Sequence, residues 1–155
     1  MRTSSLYGSW LVLVMNYSSY YAPCFIVKLN LFLGKTLQVI TLIHTLLVHS
    51  NLTKVKRVMV LTPKNALLNW CSEFQKWLKD CRETVINIFA ISSLRTLKDR
   101  LNILEGWFKT GGVLVIGYTM FASLIHAKSI KEEETKKEIN RYLLNPGIHE
   151  LLESI

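Results

Sequence analysis

The sequence has no arrangement of cysteine or histidine that would hold a metal or staple a fold. Its three cysteines, Cys24, Cys71 and Cys81, are odd in number and match no zinc spacing. The four histidines, His44, His49, His126 and His149, form no HExxH or similar cluster. All seven read as structural residues, and such cysteine usage points to a reducing compartment. Internal repeats and low-complexity segments are absent. The most apolar stretch near the start, Leu6-Tyr7-Gly8-Ser9-Trp10-Leu11-Val12-Leu13-Val14-Met15, is too short and too interrupted to cross a bilayer, so no membrane partner is expected. Acidic residues are few: 11 Asp and Glu stand against 19 Lys and Arg, a formal charge of +8. That balance favours an anionic partner such as nucleic acid. A solvated surface with an excess of lysine is the other reading of it.

Half of the residues are apolar and 19% are charged, which excludes a disordered chain. At 155 residues the length suits one domain or a fragment of a larger one. Residues 1–24 differ from the rest. One Arg, a short apolar core and small residues give them the outline of a weak signal peptide. A helix or strand capping the domain, or a stretch foreign to the fold, fits them as well, and they stay unassigned.

The chain is organised around Leu33-Gly34-Lys35-Thr36-Leu37-Gln38-Val39-Ile40. A Gly-Lys-Thr opening an apolar helix is the right-hand half of a phosphate-binding loop. Glycine lets backbone N–H groups approach phosphates, and the helix N-terminus presents its positive end to them. Lys35 would reach the β- and γ-phosphates, and the Thr36 hydroxyl would ligate Mg²⁺. The left-hand half is poor, with Leu29 where a glycine is wanted and bulky Phe32 in the turn. The tripeptide alone also fits a plain loop-to-helix junction.

Context favours the phosphate reading. A strand over 25–27 precedes the loop. A helix apolar nearly all round follows it, with Val39, Leu42, Ile43 and Leu46 on one face. Residues 55–61 are β-branched and apolar and stop at Thr62-Pro63. Leu67, Trp70, Cys71, Phe74, Trp77 and Leu78 fall at helical spacing, which predicts that Trp70, Phe74 and Trp77 are all buried. Residues 85–91 read as a strand, and Ser92 or Ser93 as the cap of a helix carrying Leu94, Leu97, Leu101, Leu104 and Phe108. Gly111-Gly112 breaks the chain before an apolar run, Val113-Leu114-Val115-Ile116, suited to a parallel strand covered on both faces. A short helix around 120–125 and a charged helix near 131–143, with Ile139, Tyr142 and Leu143 inward, complete the pattern. Asn145-Pro146-Gly147 ends that helix, and the last eight residues suggest one loose helical turn. Alternating strands and helices predict an α/β fold with a mainly parallel sheet and a nucleotide at its carboxyl edge.

The order of segments resembles the first RecA-like lobe of the Swi/Snf-type helicase-like ATPases, the chromatin remodellers, in their ATRX-like branch. The likeness rests on the loop and helix of residues 33–40. It continues in Val58-Met59-Val60-Leu61-Thr62-Pro63 with Asn69-Trp70, Glu73-Phe74 and Lys76-Trp77, similar to motif Ia. Gly111 to Phe121 resembles motif Ib, and residues 143–147 resemble the segment before the DEAH-type box. The resemblance implies a partial RecA-like (P-loop) three-layer fold over residues 25–155, truncated before that box, with no second lobe. It implies Gly34, Lys35 and Thr36 as nucleotide-binding residues, with ATP and Mg²⁺ as cofactors. It implies Thr62, Lys64, Asn65, Gly117, Tyr118 and Thr119 as DNA-contacting residues, with DNA or a nucleosome as partner and a nuclear location. No Asp-Glu-x-His box is found in the 155 residues, so the chain is expected to bind ATP weakly and not to work as a motor by itself. A non-catalytic α/β interaction module built on the same lobe is the alternative. An unrelated small α/β protein with a signal peptide is a third.

Overall fold

The computed structural model describes residues 10–16, 25–29, 35–81, 85–91, 96–125 and 133–143. Their elements run in the order β1 (Trp10–Asn16), β2 (Phe25–Leu29), α1 (Lys35–Val48), α2 (Ser50–Thr53), β3 (Val55–Thr62), α3 (Leu67–Leu78), β4 (Ile88–Ile91), α4 (Leu97–Thr110), β5 (Gly112–Gly117), α5 (Tyr118–Ile125) and α6 (Glu133–Leu143). A 3-10 turn, Lys64–Ala66, leads into α3. The five strands form one sheet in the order β2-β1-β3-β5-β4. β3, β5 and β4 are mutually parallel, and β1 pairs antiparallel with both β2 and β3.

The apolar runs of β3 and β5 fix the layers. Successive side chains of a strand point to opposite faces, so each run feeds two cores. Val58, Val60, Val113 and Val115 pack on one face with Val39, Ile40 and Ile43 of α1 and Leu67, Trp70 and Phe74 of α3. Met59, Leu61, Leu114 and Ile116 pack on the other with Leu104 and Trp107 of α4, Phe121 and Leu124 of α5, and Ile139 and Leu143 of α6. The result is the three-layer α/β arrangement expected of a partial RecA-like fold. Each large side chain fully removed from water contributes roughly 1.5–3 kcal/mol.

Several local expectations are corrected. Trp77 is 40% exposed rather than buried. Its Nε1–H donates to Glu73 Oε2 at 2.8 Å, and the Lys76 ammonium lies 4.8 Å from the ring centroid. An indole with both a hydrogen-bond partner and a cation on its face is satisfied at the surface, so helical spacing over-predicted its burial. α1 is not apolar all round: Leu37 and Leu42 are exposed, and the buried ridge is Val39, Ile40 and Ile43. Thr41 and Thr45 on the exposed side return their hydroxyls to the carbonyls of Leu37 and Thr41, both at 2.9 Å. β4 is shorter than expected and begins at Ile88. α4 is capped by Thr96, whose Oγ1 accepts the Asp99 N–H at 3.1 Å. Ser92, Ser93 and Leu94 lie outside the described residues, as do Asn145-Pro146-Gly147 and residues 148–155.

Two residues that periodicity overlooked anchor α4. Trp107 is fully buried and donates its Nε1–H to Gly112 O at 3.2 Å. Arg57, near the start of β3, is buried as well. Its Nη1 donates to Phe108 O at 3.1 Å, and its guanidinium stands 4.0 Å from the Phe108 ring centroid. The arginine thereby satisfies a carbonyl at the carboxyl end of α4, where cations are favoured. Arg141 of α6 reaches the same ring at 5.9 Å, and Tyr142 packs against it at 5.1 Å.

The burial difference between two aromatics of α3 is open to measurement. Phe74→Ala removes a fully buried ring and is expected to cost about 3–5 kcal/mol in denaturant unfolding. Trp77→Ala removes a partly exposed one, and its cost should stay well below that of Phe74→Ala. Equal losses for the two would contradict the placement of α3.

Candidate functional site

The parallel pairing of β3 with β5 places Thr62 opposite Gly117. Both strands end at that pair, so the chain leaves the sheet twice at neighbouring points, about 4.8 Å apart in strand spacing. After β3, Pro63 has no N–H to continue the ladder, and its carbonyl accepts the Ala66 N–H at 3.0 Å to start the 3-10 turn. After β5, α5 begins directly at Tyr118. A Cβ built on Gly117 would stand 3.7 Å from Thr62 O and 3.9 Å from the Lys64 Cα, so the two exits are packed against each other.

The six residues expected at these turns are therefore brought together, in two roles. Lys64, Asn65 and Thr119 are exposed, and Tyr118 is 37% exposed. Thr62 and Gly117 are buried, and the Thr62 hydroxyl donates to Pro63 O at 3.4 Å. Thr62 is a spacer inside the turn rather than a surface group. The 3-10 turn, α3 and α5 carry no acidic residue in their first turns. Two helix starts, one lysine and no carboxylate in the first turns make this edge suited to oxyanions.

α1, the helix that opens at Lys35 and Thr36, starts toward the same edge. β2 is antiparallel to β1, and β1 is antiparallel to β3, so β2 points the same way as β3. Its carboxyl end at Leu29 and the start of α1 at Lys35 face the side where β3 and β5 end. Gly34 and the rest of 30–34 lie outside the described residues. Thr36 is half-buried in the first turn of α1, which contains no acid. Sequence reasoning did not foresee that β1 separates β2 from β3. The ends of β2 and β3 are thus two strand spacings apart, roughly 10 Å.

The fit to a nucleotide with Mg²⁺ is partial. A hydroxyl and an acid-free helix start suit phosphate. Among the described residues no group of three His, Cys, Asp or Glu could hold a metal ion.

Among the described residues, several other cations lie at the opposite end of the sheet. Lys56, Arg57 and Lys109 line a cavity of about 290 Å³ with Phe108, Thr110 and Gly111, at the amino end of β3 and β5. Lys109 pairs with Glu105, and that hydrogen bond raises the lysine's pKa. Lys54 donates to Asn51 O at 2.7 Å. Burial pushes the thiol of half-buried Cys71 up, away from the reactive thiolate, in keeping with a structural cysteine. No helix among the described residues is long and apolar enough to cross a membrane.

Residues 30–149 match the family model of the SNF2-related domain. The chain is 42% identical over 130 residues to the transcriptional regulator ATRX homolog of Caenorhabditis elegans. It is 38% identical over 117 residues to the Drosophila melanogaster homolog and 35% identical over 118 residues to the human transcriptional regulator ATRX. Each alignment covers 74% of this chain and 10%, 9% and 5% of the respective relative. The chain thus spans a tenth or less of the length of these relatives. No solved structure matches it.

Glycines at the two ends of β5 should respond differently to a methyl group. A Cβ at Gly112 would lie 2.4 Å from Asn87 O, on a backbone with φ of +105°, whereas Gly117 has ordinary contacts. Gly112→Ala is expected to lose at least about 1–3 kcal/mol of stability. Gly117→Ala should fold with nearly unchanged denaturation, so that it can be used to perturb the edge alone.

Proposed function

Because the chain belongs to the SNF2-related domain family, we propose that it is the nucleotide-side part of a chromatin-remodeller motor lobe. In this reading it binds DNA through the paired turns after β3 and β5 and holds ATP weakly at the start of α1. The observation that supports it most is the Thr62↔Gly117 register. That register joins two turns that are fifty-five residues apart in sequence into one acid-free edge. α1, the helix of the Gly-Lys-Thr segment, starts on the same side.

The chemistry at the DNA edge is contact with the phosphate backbone. Lys64 supplies a mobile cation, while Asn65 and Thr119 supply neutral donors. The helix starts of α3 and α5 supply oriented N–H groups. None of these reads a base edge, so the contact is independent of sequence. DNA in chromatin is the natural polyanion for such an edge, and the nucleus is the location that follows. The relatives are named as transcriptional regulators, which agrees with this assignment.

The chemistry at the ATP end is binding without turnover. Gly34 and Lys35 would cradle the phosphates, and Thr36 would give one oxygen to Mg²⁺. ATP bound there would supply a transferable γ-phosphoryl group. Hydrolysis also needs an acidic residue on the metal, a group that orients the attacking water, and usually an arginine at the transition state. The 155 residues contain no Asp-Glu pair at the end of an apolar strand. Among the described residues Arg57 is committed to the carboxyl end of α4.

Two measurements test the reading. Affinity for duplex DNA should fall steeply between low and moderate salt through counterion release, and Lys64→Ala should weaken binding equally for unrelated sequences and flatten the salt slope by about one. An affinity indifferent to salt would refute the phosphate contact. In a steady-state ATPase assay with and without DNA, the chain should show no turnover above a Lys35→Ala control. DNA-stimulated turnover abolished by that substitution would show a working motor.

A further inference from the structure

At the amino end of β3 and β5, opposite the turns that follow Thr62 and Gly117, the surface is recessed in two adjoining parts. The first is the cavity of about 290 Å³ whose wall holds Arg57 and Lys109. The second is a hollow of about 230 Å³ bounded by Leu47 of α1 and by Val85 and Ile86 ahead of β4. Lys56, Thr110 and Gly111 line both, so the two parts are continuous. One part is cationic and the other largely apolar, and no carboxylate lines either among the described residues. Arg57 is fixed by the Phe108 carbonyl and ring, and its charge answers the negative end of α4. Lys109 pairs with Glu105, but both side chains are exposed, at 70% and 44%, and such a pair opens readily. Lys56 is exposed and has no carboxylate partner among the described residues. In the neighbouring hollow Val85 is 87% exposed.

We propose that this recess is a docking site for an acidic peptide segment of a partner protein. A carboxylate enters the cationic cavity beside Lys56 and Lys109, in the field of Arg57, and an apolar side chain next to it lies on Leu47, Val85 and Ile86. Charge complementarity selects an acidic occupant. The apolar hollow selects a peptide over a duplex, because the phosphate ridge of a duplex offers only charged and polar groups. An extended peptide advances about 3.3 Å per residue, so a carboxylate and an apolar side chain can enter neighbouring recesses together. The anchored Arg57 guanidinium loses little rotamer freedom when an anion arrives, which favours binding. The recess and the turns after β3 and β5 lie at opposite ends of the strands, so this inference is independent of nucleotide or DNA binding.

Fluorescence anisotropy of a short labelled peptide of alternating glutamate and leucine, titrated with the full chain, tests the proposal. Replacing the glutamates by glutamine, or the leucines by serine, should weaken binding. Lys56→Glu is expected to weaken it about fivefold or more. Lys64→Glu makes the same charge change at the other end of the strand and should alter it by less than about twofold, because separated surface charges are screened. Val85→Ser should weaken binding of the leucine peptide and leave that of the serine peptide unchanged. Lys56, Lys64 and Val85 are all exposed, so the variants should unfold at the same denaturant concentration as the parent chain. Equal losses for Lys56→Glu and Lys64→Glu would reduce the binding to attraction by net charge and overturn the site. Failure of the parent chain to bind the peptide would overturn it too, and a loss of duplex DNA affinity in Lys56→Glu would then make the cavity a nucleic-acid contact.

Discussion

The parallel pairing of β3 with β5 is the constraint on which the rest of the structure depends. Both strands are buried on both faces, so their alternate residues must find two cores rather than one. α1 and α3 are committed to one side of the sheet, and α4, α5 and α6 to the other. The same pairing fixes where the chain emerges. Thr62 and Gly117 end the two strands level with each other, and the turns that follow have no room to separate. A one-residue slip would send every side chain of one strand to the wrong core. The position of the exposed edge is therefore as strongly specified as the core itself.

Charge is distributed in a way that composition hides. An excess of lysine and arginine suggests a basic patch, yet the described cations serve different ends of the fold. Arg57 is spent on a helix carbonyl and an aromatic face at the amino end of the sheet. Lys76 covers an indole, and Lys109 pairs with Glu105. At the turns after β3 and β5, Lys64 stands with the starts of two helices.

Much of the fold was legible because its signals are local. The runs 55–61 and 113–116 read as strands from their residues alone, and the break at Gly111-Gly112 is written in residues that tolerate the positive φ found there. The motif order located the turns that β3 and β5 bring together. What the sequence could not reveal depends on pairing between distant segments. Nothing in Trp10–Asn16 says that it lies beside β3 and not beside β5. The role of Arg57 needed Phe108 to arrive from α4, although a lone arginine amid Val55, Val58 and Val60 was a clue that a partner existed. Trp77 was misread because spacing reports which face of a helix a residue occupies, but not how far the core extends along it.

The antiparallel contact of β1 with β3 also bears on how the chain acquires its structure during synthesis. Residues emerge from the amino end, and β3 is complete about fifty residues before β5 begins. For that interval the ladder partner available to β3 among the described strands of the nascent chain is β1, because β2 pairs with β1 and β4 with β5. The parallel partner around which the finished sheet is built arrives last of the five strands. β1, which precedes the family domain, is thus positioned to cover one edge of β3 while translation supplies β5 for the other.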